Sequence, residues 1–140
     1  MVSKTVRLEV STRGPKDVVD LTAQVAEAVR ASGANEGMVH LFALGSTCAL
    51  TTIELEAGLL EDFGKALDRL VPPRGNYAHA LSGGDDNAAS HIWSSVMGPS
   101  LAVPFEDGRL VLGTWQQIVL VELDVRPRRR EVRLQVHPLA

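Results

Sequence analysis

The sequence has little cysteine, few aromatic residues and no excess of positive charge. Cys48 is the only cysteine, so no disulfide can form within the chain. Aromatic residues make up 4% of the chain, and no apolar run approaches the length of a membrane span. The net charge of −3 argues against binding to nucleic acid or to an anionic membrane. With 140 residues and no apolar leader block, we expect one domain over residues 1–140, located in the cytoplasm.

Several common signatures of function are also missing. The chain has no P-loop, no dinucleotide fingerprint, no HExxH, no paired CxxC and no nucleophile elbow. Cys48 lies in an apolar-leaning run without a nearby charged activator, so we expect a buried, unreactive thiol. The basic segment "RPRRR" at 126–130 is interpreted as a solvated turn between strands, with a phosphate or partner contact as the alternative.

Three segments have the apolar spacing that is typical of amphipathic helices. The first runs from Asp17 to Ser32, with Gly33 as its C-terminal cap. The second follows Gly58 and is stopped by the prolines at 72–73. Its apolar stripe consists of Leu60, Phe63, Leu67 and Leu70. The third begins at Asp86 or Asn87, either of which suits an N-cap, and runs to about Met97.

Most of the remaining chain favours strands. The predicted strands cover residues 4–12, 37–45, 46–56, 100–105, 109–114, 115–125 and 131–137, and a short extended piece covers 76–82. With about three helices that do not alternate regularly with the strands, we expect an α+β fold with a mainly antiparallel sheet. The segment 115–125 has apolar residues on both alternating faces, so it must meet a second layer or another subunit.

Polar residues that could carry chemistry are concentrated around the start of the third helix. They are His79, Asp85, Asp86, Asn87 and His91. The free amides and positive dipole end of a helix bind phosphate, and an imidazole there can donate to it or move a proton. The carboxylates could hold Mg²⁺ or another divalent metal, with His79 and His91 as further ligands. The alternative is that Asp86 and Asn87 only cap the helix, with His91 half-buried.

A second group lies in "LGTWQQ", residues 112–117. Gly113 permits a bulge or a close approach by another backbone. Trp115 and Gln116 should then point to opposite faces of a strand. Trp115 is either a core residue or, with Gln116, part of a pocket beside the His91 helix. Glu54, near the end of another predicted strand, is a candidate acid or base.

Four ordered motifs resemble the YjbQ family over nearly the whole chain. They are "YAH" at 77–79, "DDNAASH" at 85–91, "GPSLAVPFEDGRL" at 98–110 and "LGTWQQIVLVELD" at 112–124. The resemblance implies an α+β homotrimer with a pocket at or near the subunit boundary. It also implies activity of the secondary thiamine-phosphate synthase type, which joins a pyrimidine pyrophosphate to a thiazole phosphate and releases pyrophosphate. The family's polar positions correspond to Glu54, His79, Asp86, Asn87, His91, Gly113, Thr114, Trp115 and Gln116.

The chemistry of the activity that the resemblance implies suggests a role for each of these residues. His91, Asp86 and Glu54 would be catalytic, with Asp86 as a ligand of a divalent metal such as Mg²⁺. His79, Asn87, Gly113, Thr114, Trp115 and Gln116 would bind a small phosphorylated substrate, with Trp115 stacking on its ring. Many relatives carry two further histidines, where this chain has Gly45 and Ala89.

Two other functions are compatible with the same residues. One is a non-catalytic trimeric protein that binds a phosphorylated or anionic metabolite, which the missing histidines favour. The other is a metal-dependent hydrolase that uses His79, Asp86 and His91.

Overall fold

The computed structural model describes residues 2–82 and 86–140. These residues form eight strands and four helices, and the expected α+β class is confirmed. In chain order they are β1 (Lys4–Ser11), β2 (Val18–Asp20), α1 (Thr22–Ser32), β3 (Gly37–Leu44), β4 (Cys48–Ile53), α2 (Ala57–Leu70), α3 (Ala78–Leu81), α4 (Ala88–Met97), β5 (Ser100–Glu106), β6 (Arg109–Leu110), β7 (Gln117–Glu122) and β8 (Arg129–Pro138).

The strands form two antiparallel sheets. The first has five strands in the order β1-β8-β3-β5-β6, and the second has three in the order β2-β7-β4. Alternate residues of β8, namely Val132, Leu134 and Val136, are fully buried on the inner face of the five-stranded sheet. This alternation is what the sequence pattern of 131–137 predicts for a sheet with one covered face.

The central strand β7 is buried on both faces. Ile118 and Leu120 lie in the core that also contains the inner residues of the five-stranded sheet. Val119 and Val121 lie in a second core, which contains Trp93 of α4 and Leu67 of α2. The three-stranded sheet is therefore a middle layer, and both apolar faces of β7 are covered within one chain.

The first helix begins later than its apolar spacing predicts. Val18–Asp20 pairs with β7 as strand β2, and α1 begins only at Thr22. The Oδ1 atom of Asp20 accepts a hydrogen bond from the Thr22 backbone N–H at 2.9 Å, which satisfies one free donor of the first turn. The predicted end is confirmed, because Gly33 adopts the left-handed conformation with φ of 73°.

Several other boundary predictions need correction, including that of the strand expected over 109–114, which ends at Leu110. Residues 78–81 form the short helix α3 rather than an extended piece. Leu70 ends α2 with 75% of its surface exposed, so it lies outside the buried part of the predicted stripe. The strand expected over 115–125 begins only at Gln117, since residues 114–115 form a turn.

The third predicted helix is confirmed as α4, Ala88–Met97. In the described part of the chain, no helix is both long and apolar enough to cross a membrane.

Candidate functional site

A buried ion pair joins the two sheets. Glu122 continues the face of β7 that carries Ile118 and Leu120, and Arg130 continues the inner face of β8. The Nε atom of Arg130 donates to Glu122 Oε1 at 2.8 Å, and its Nη2 atom donates to Oε2 at 2.5 Å. Glu122 is fully buried, and Arg130 is only 8% exposed. The interpretation of "RPRRR" as a solvated turn is therefore wrong for Arg130.

Two threonine hydroxyls extend this ion pair. Thr12 Oγ1 donates to Glu122 Oε1 at 2.8 Å, and Arg130 Nη2 donates to Thr47 Oγ1 at the same distance. Thr47 in turn donates to Asp124 Oδ2 at 3.0 Å. Buried polar groups that are all partnered hold one another in fixed orientations. The buried pair is thus continuous with the carboxylate of Asp124.

Asp124, like Glu122, accepts four hydrogen bonds in this network. Its side chain is 1% exposed. It accepts hydrogen bonds from the Val125 backbone N–H, Asn87 Nδ2, Thr47 Oγ1 and Arg128 Nη2, at 2.8, 3.3, 3.0 and 2.7 Å. Burial by itself would raise the pKa of Asp124, but these hydrogen bonds outweigh it and lower the pKa to about 2. The carboxylate is therefore ionised at neutral pH.

Asn87 connects Asp124 to the candidate site. The amide of this buried residue donates to Asp124 through Nδ2, and its Oδ1 atom lies 3.1 Å from His79 Nε2. Its side chain makes no capping hydrogen bond to α4, although it occupies the N-cap position. The alternative of a purely capping Asn87 is therefore wrong, because both ends of its amide are used as a bridge.

The predicted histidine pair is brought together at this bridge. The rings of His79 on α3 and His91 on α4 have centroids 5.0 Å apart and meet edge to face at 69°. His79 is exposed and His91 is partly buried. Asp86 is exposed and borders a cavity of about 130 Å³, which Asn87 and Asp124 also line. Asp85 lies outside the described residues.

A histidine-rich metal centre does not fit this arrangement within one chain. Among residues 2–82 and 86–140, no three His, Cys, Asp or Glu side chains are grouped so that they could hold a metal ion. At Gly45, where φ is +146°, an added Cβ would lie 2.8 Å from Arg130 Nη1. Ala89 is packed in the second core with Trp93. Neither position can accept a histidine without rearrangement of its neighbours.

The second predicted group lies in the loop before β7. Gln116 accepts from the Gly113 N–H and donates to Thr52 Oγ1, both at 3.0 Å. Trp115 is 71% exposed, so the prediction of a core tryptophan is wrong for this residue. Thr114 and Glu54 are exposed as well. A Cβ at Gly113 would make only ordinary contacts with Gln116, so no close backbone approach explains that glycine.

The two predicted groups lie at opposite ends of β4. The histidine cluster is connected through Asn87 and Asp124 to Thr47, just before β4, whereas Gln116 is bonded to Thr52 near its end. With a rise of about 3.3 Å per residue, the two attachment points are roughly 16 Å apart. One chain therefore does not bring Trp115 beside His91.

The order of these motifs and the fold that carries them match a known family. A protein-family model described as "UPF0047 protein YjbQ-like" matches residues 6–138 of this chain. The chain belongs to the YjbQ-like family. A UPF0047 protein of Methanothermobacter thermautotrophicus is 36% identical over 132 residues, which cover 94% of this chain and 90% of that protein. UPF0047 protein YjbQ of Escherichia coli O157:H7 is 36% identical and covers 92% of each chain.

Two solved structures share the fold. A YbjQ-like protein of unknown function from Sulfolobus solfataricus P2 has a TM-score of 0.93 and 33% sequence identity, over 99% of both chains. A hypothetical protein of Aeropyrum pernix K1 has a TM-score of 0.89 and 33% identity, over 97% of this chain and 99% of that one. Family and fold are thus established, while these proteins are described without an activity.

Sequence reasoning missed Asp124, Arg128 and Arg130 as parts of the site. A usable signal was present, because Arg130 stands two residues before Val132 and Glu122 two after Leu120. In strands with period 2, those charged residues must face the core, and a buried charge requires a partner. No comparable sequence signal predicts that Asn87 lies between Asp124 and His79, because that placement depends on how α4 packs on the sheet.

Proposed function

We propose that this chain binds a phosphorylated small molecule at His79, Asn87 and His91 and acts as a transferase of the thiamine-phosphate synthase type. The observation that carries the proposal is the pair of imidazoles, with ring centroids 5.0 Å apart, beside an amide anchored to a buried carboxylate. The imidazole of His91 can donate a hydrogen bond to a phosphate oxygen, and either imidazole can move a proton near neutral pH. Groups held in place before the substrate arrives are suited to a developing charge.

In the proposed reaction, the thiazole nitrogen attacks the methylene carbon of the pyrimidine pyrophosphate. The carbon–oxygen bond breaks, and pyrophosphate leaves with the electron pair. Donors from His91 and the first turn of α4 would receive oxygens of the leaving group. The exposed carboxylate of Asp86 is the residue that would hold Mg²⁺, since Mg²⁺ is often bound by one or two carboxylates together with substrate phosphates.

The proposal includes a homotrimer, for a geometric reason. Trp115 is 71% exposed, and its loop lies at the opposite end of β4 from the histidine cluster. If the loop of one copy covers the cluster of the next, two different surfaces meet, and such contacts can close into a ring. Glu54, Thr114, Trp115 and Gln116 would then complete the neighbouring copy's site.

The assembly is tested through Trp115 fluorescence. The chain has two tryptophans, so Trp93→Phe leaves Trp115 as the only source of tryptophan emission. Light scattering after size exclusion should give a trimer, in which acrylamide quenches Trp115 poorly and dilution restores quenching. Trp115→Ala should weaken the trimer. A monomer in which Trp115 is freely quenched at every concentration would contradict the proposed ring.

The chemistry is tested with His91→Ala, with His40→Ala as the matched control. His40 is an exposed histidine on the outer face of the five-stranded sheet. Loss of an acid–base group should lower the rate of thiamine-phosphate formation by about 10²-fold or more. His40→Ala should leave it unchanged. An equal rate in wild type and His91→Ala would refute the assignment.

A second candidate is a trimeric binding protein without catalysis. It is favoured by Gly45 and Ala89, which hold the places of histidines in many relatives, and by the lack of a three-ligand group among the described residues. Mass spectrometry of metabolites that copurify with the protein distinguishes the two, since a binding protein should retain its ligand without turnover. A hydrolase would instead require a divalent metal for activity, which metal analysis and chelation test directly.

A further inference from the structure

We infer that Asp124 is a positioning residue which, through Asn87, holds His79 as its Nε2–H tautomer and leaves Nδ1 as the acceptor offered to a ligand. The tautomer is a property of the protein without ligand. The inference rests on the proposed function only in the statement that a ligand meets His79.

The first step concerns the orientation of the Asn87 amide. An ionised carboxylate can only accept hydrogen bonds, and Asp124 accepts them from Thr47 and Arg128 as well as from Asn87. The group of Asn87 that faces Asp124 must therefore be its NH₂. The carbonyl oxygen of the same planar amide must then face the other way, toward His79.

The second step concerns the imidazole. Asn87 Oδ1 lies 3.1 Å from His79 Nε2 and has no hydrogen to donate. A hydrogen bond at this distance thus requires the proton to be on Nε2. In the neutral ring, Nδ1 then carries the lone pair. None of the described residues forms a hydrogen bond to Nδ1, and His91 contacts the His79 ring edge to face.

The third step concerns the ligand. An acceptor nitrogen recognises a group with a hydrogen to donate, such as a hydroxyl or an aromatic amino group, or it takes up a proton as a base. A fully ionised phosphate oxygen offers no such hydrogen. His79 is therefore suited to a ligand's O–H or N–H group, and phosphate oxygens would be received by other donors of the site. Asp124 sets this preference without touching the ligand.

The inference is tested by ¹⁵N NMR of histidine side chains in the full-length protein without substrate. The chain has four histidines, so a His79→Gln variant is sufficient to assign the His79 signals. At roughly pH 8.5, where imidazoles are neutral, wild-type His79 should show a protonated Nε2 and an unprotonated Nδ1. Asn87→Ala removes the acceptor for His79, and Asp124→Ala removes the acceptor that orients Asn87, so both should shift the two signals toward the average of a tautomer mixture.

Arg128→Gln is the matched control. It removes one donor to Asp124 but keeps the carboxylate and Asn87, so the His79 signals should not move. Backbone spectra establish whether each variant is folded. If Asp124→Ala does not fold, the wild-type spectrum and Asn87→Ala are sufficient for the test. A wild-type His79 protonated on Nδ1, or signals that stay unmoved in Asn87→Ala or in a folded Asp124→Ala, would overturn the inference. Absence of synthase activity would leave this result unaffected, so the two proposals fail separately.

Discussion

The two ends of β4 differ in the burial and hydrogen bonding of the side chains around them. At the beginning of the strand, Thr47 belongs to a buried network with Glu122, Asp124 and Arg130, in which each carboxylate has several donors. Near its end, Thr52 is bonded to the exposed Gln116, beside an exposed Trp115. The first end is organised before any ligand binds, whereas the second exposes apolar surface that another molecule could cover.

The largest effect on stability is expected from a change in the buried network at the beginning of β4. Arg130→Met leaves Glu122 buried without its charged partner and should lower the free energy of unfolding by about 3–5 kcal/mol. Denaturant unfolding measures it. Arg129→Ala is the control, because Arg129 pairs with Glu9 on the surface and its loss should leave the midpoint unchanged. Equal losses in both variants would mean that the two ion pairs do not differ as burial indicates.

The next largest effect is on turnover, and it distinguishes the residues at the two ends of β4. His79→Ala should lower turnover about 10²-fold or more if the imidazole acts as a base. Glu54→Gln, at the other end of β4, should lower turnover only in the assembled protein, since Glu54 would reach the site of a neighbouring copy. Rates measured above and below the dissociation concentration test this. If Glu54→Gln were as harmful in the isolated chain, the separation of the two ends would be incorrect.

The pH dependence of stability gives a third comparison. Hydrogen bonds lower the pKa of Asp124 from its ordinary value of 3.8 to about 2. A lowered carboxyl pKa contributes stability that is complete above the ordinary value and is lost as the pH falls through the folded-state value. Asp124→Asn should therefore be less stable than wild type by about 2 kcal/mol at neutral pH. The difference should shrink between pH 3.8 and about 2. A difference that does not change over that range would contradict the lowered pKa.

The smallest effect on stability is expected from changes near the end of β4, around Thr52. Gln116→Ala removes two exposed hydrogen bonds, to Gly113 and Thr52, and should cost at most about 1 kcal/mol. Thermal unfolding of this variant and of Thr52→Val should give similar small shifts. A loss as large as that of Arg130→Met would show that the loop is more firmly held than its exposure indicates.

Local patterns predicted the elements better than their ends. The apolar spacing of α4 and the alternation of β8 are properties of single segments, and both elements were found. Val18–Asp20 has helical spacing with α1 but becomes a strand, because β7 offers it a partner. Local pattern also fails to predict the exposure of Trp115, because that exposure depends on where the turn before β7 lies. Pairing energy between distant segments overrides local preference at such boundaries.

The sequence by itself determined that Asn87 and His91 would lie about one helix turn apart at the start of α4, whereas it only permitted His79 to lie beside them. It also determined the two-faced burial of β7, because a strand that is apolar on both sides must be covered on both sides. Only the tertiary structure decided that Asp124 would hold Asn87, and that the Trp115 loop would lie at the other end of β4. Those relations join residues far apart in the chain, and they depend on how the helices and sheets pack, which no local pattern records.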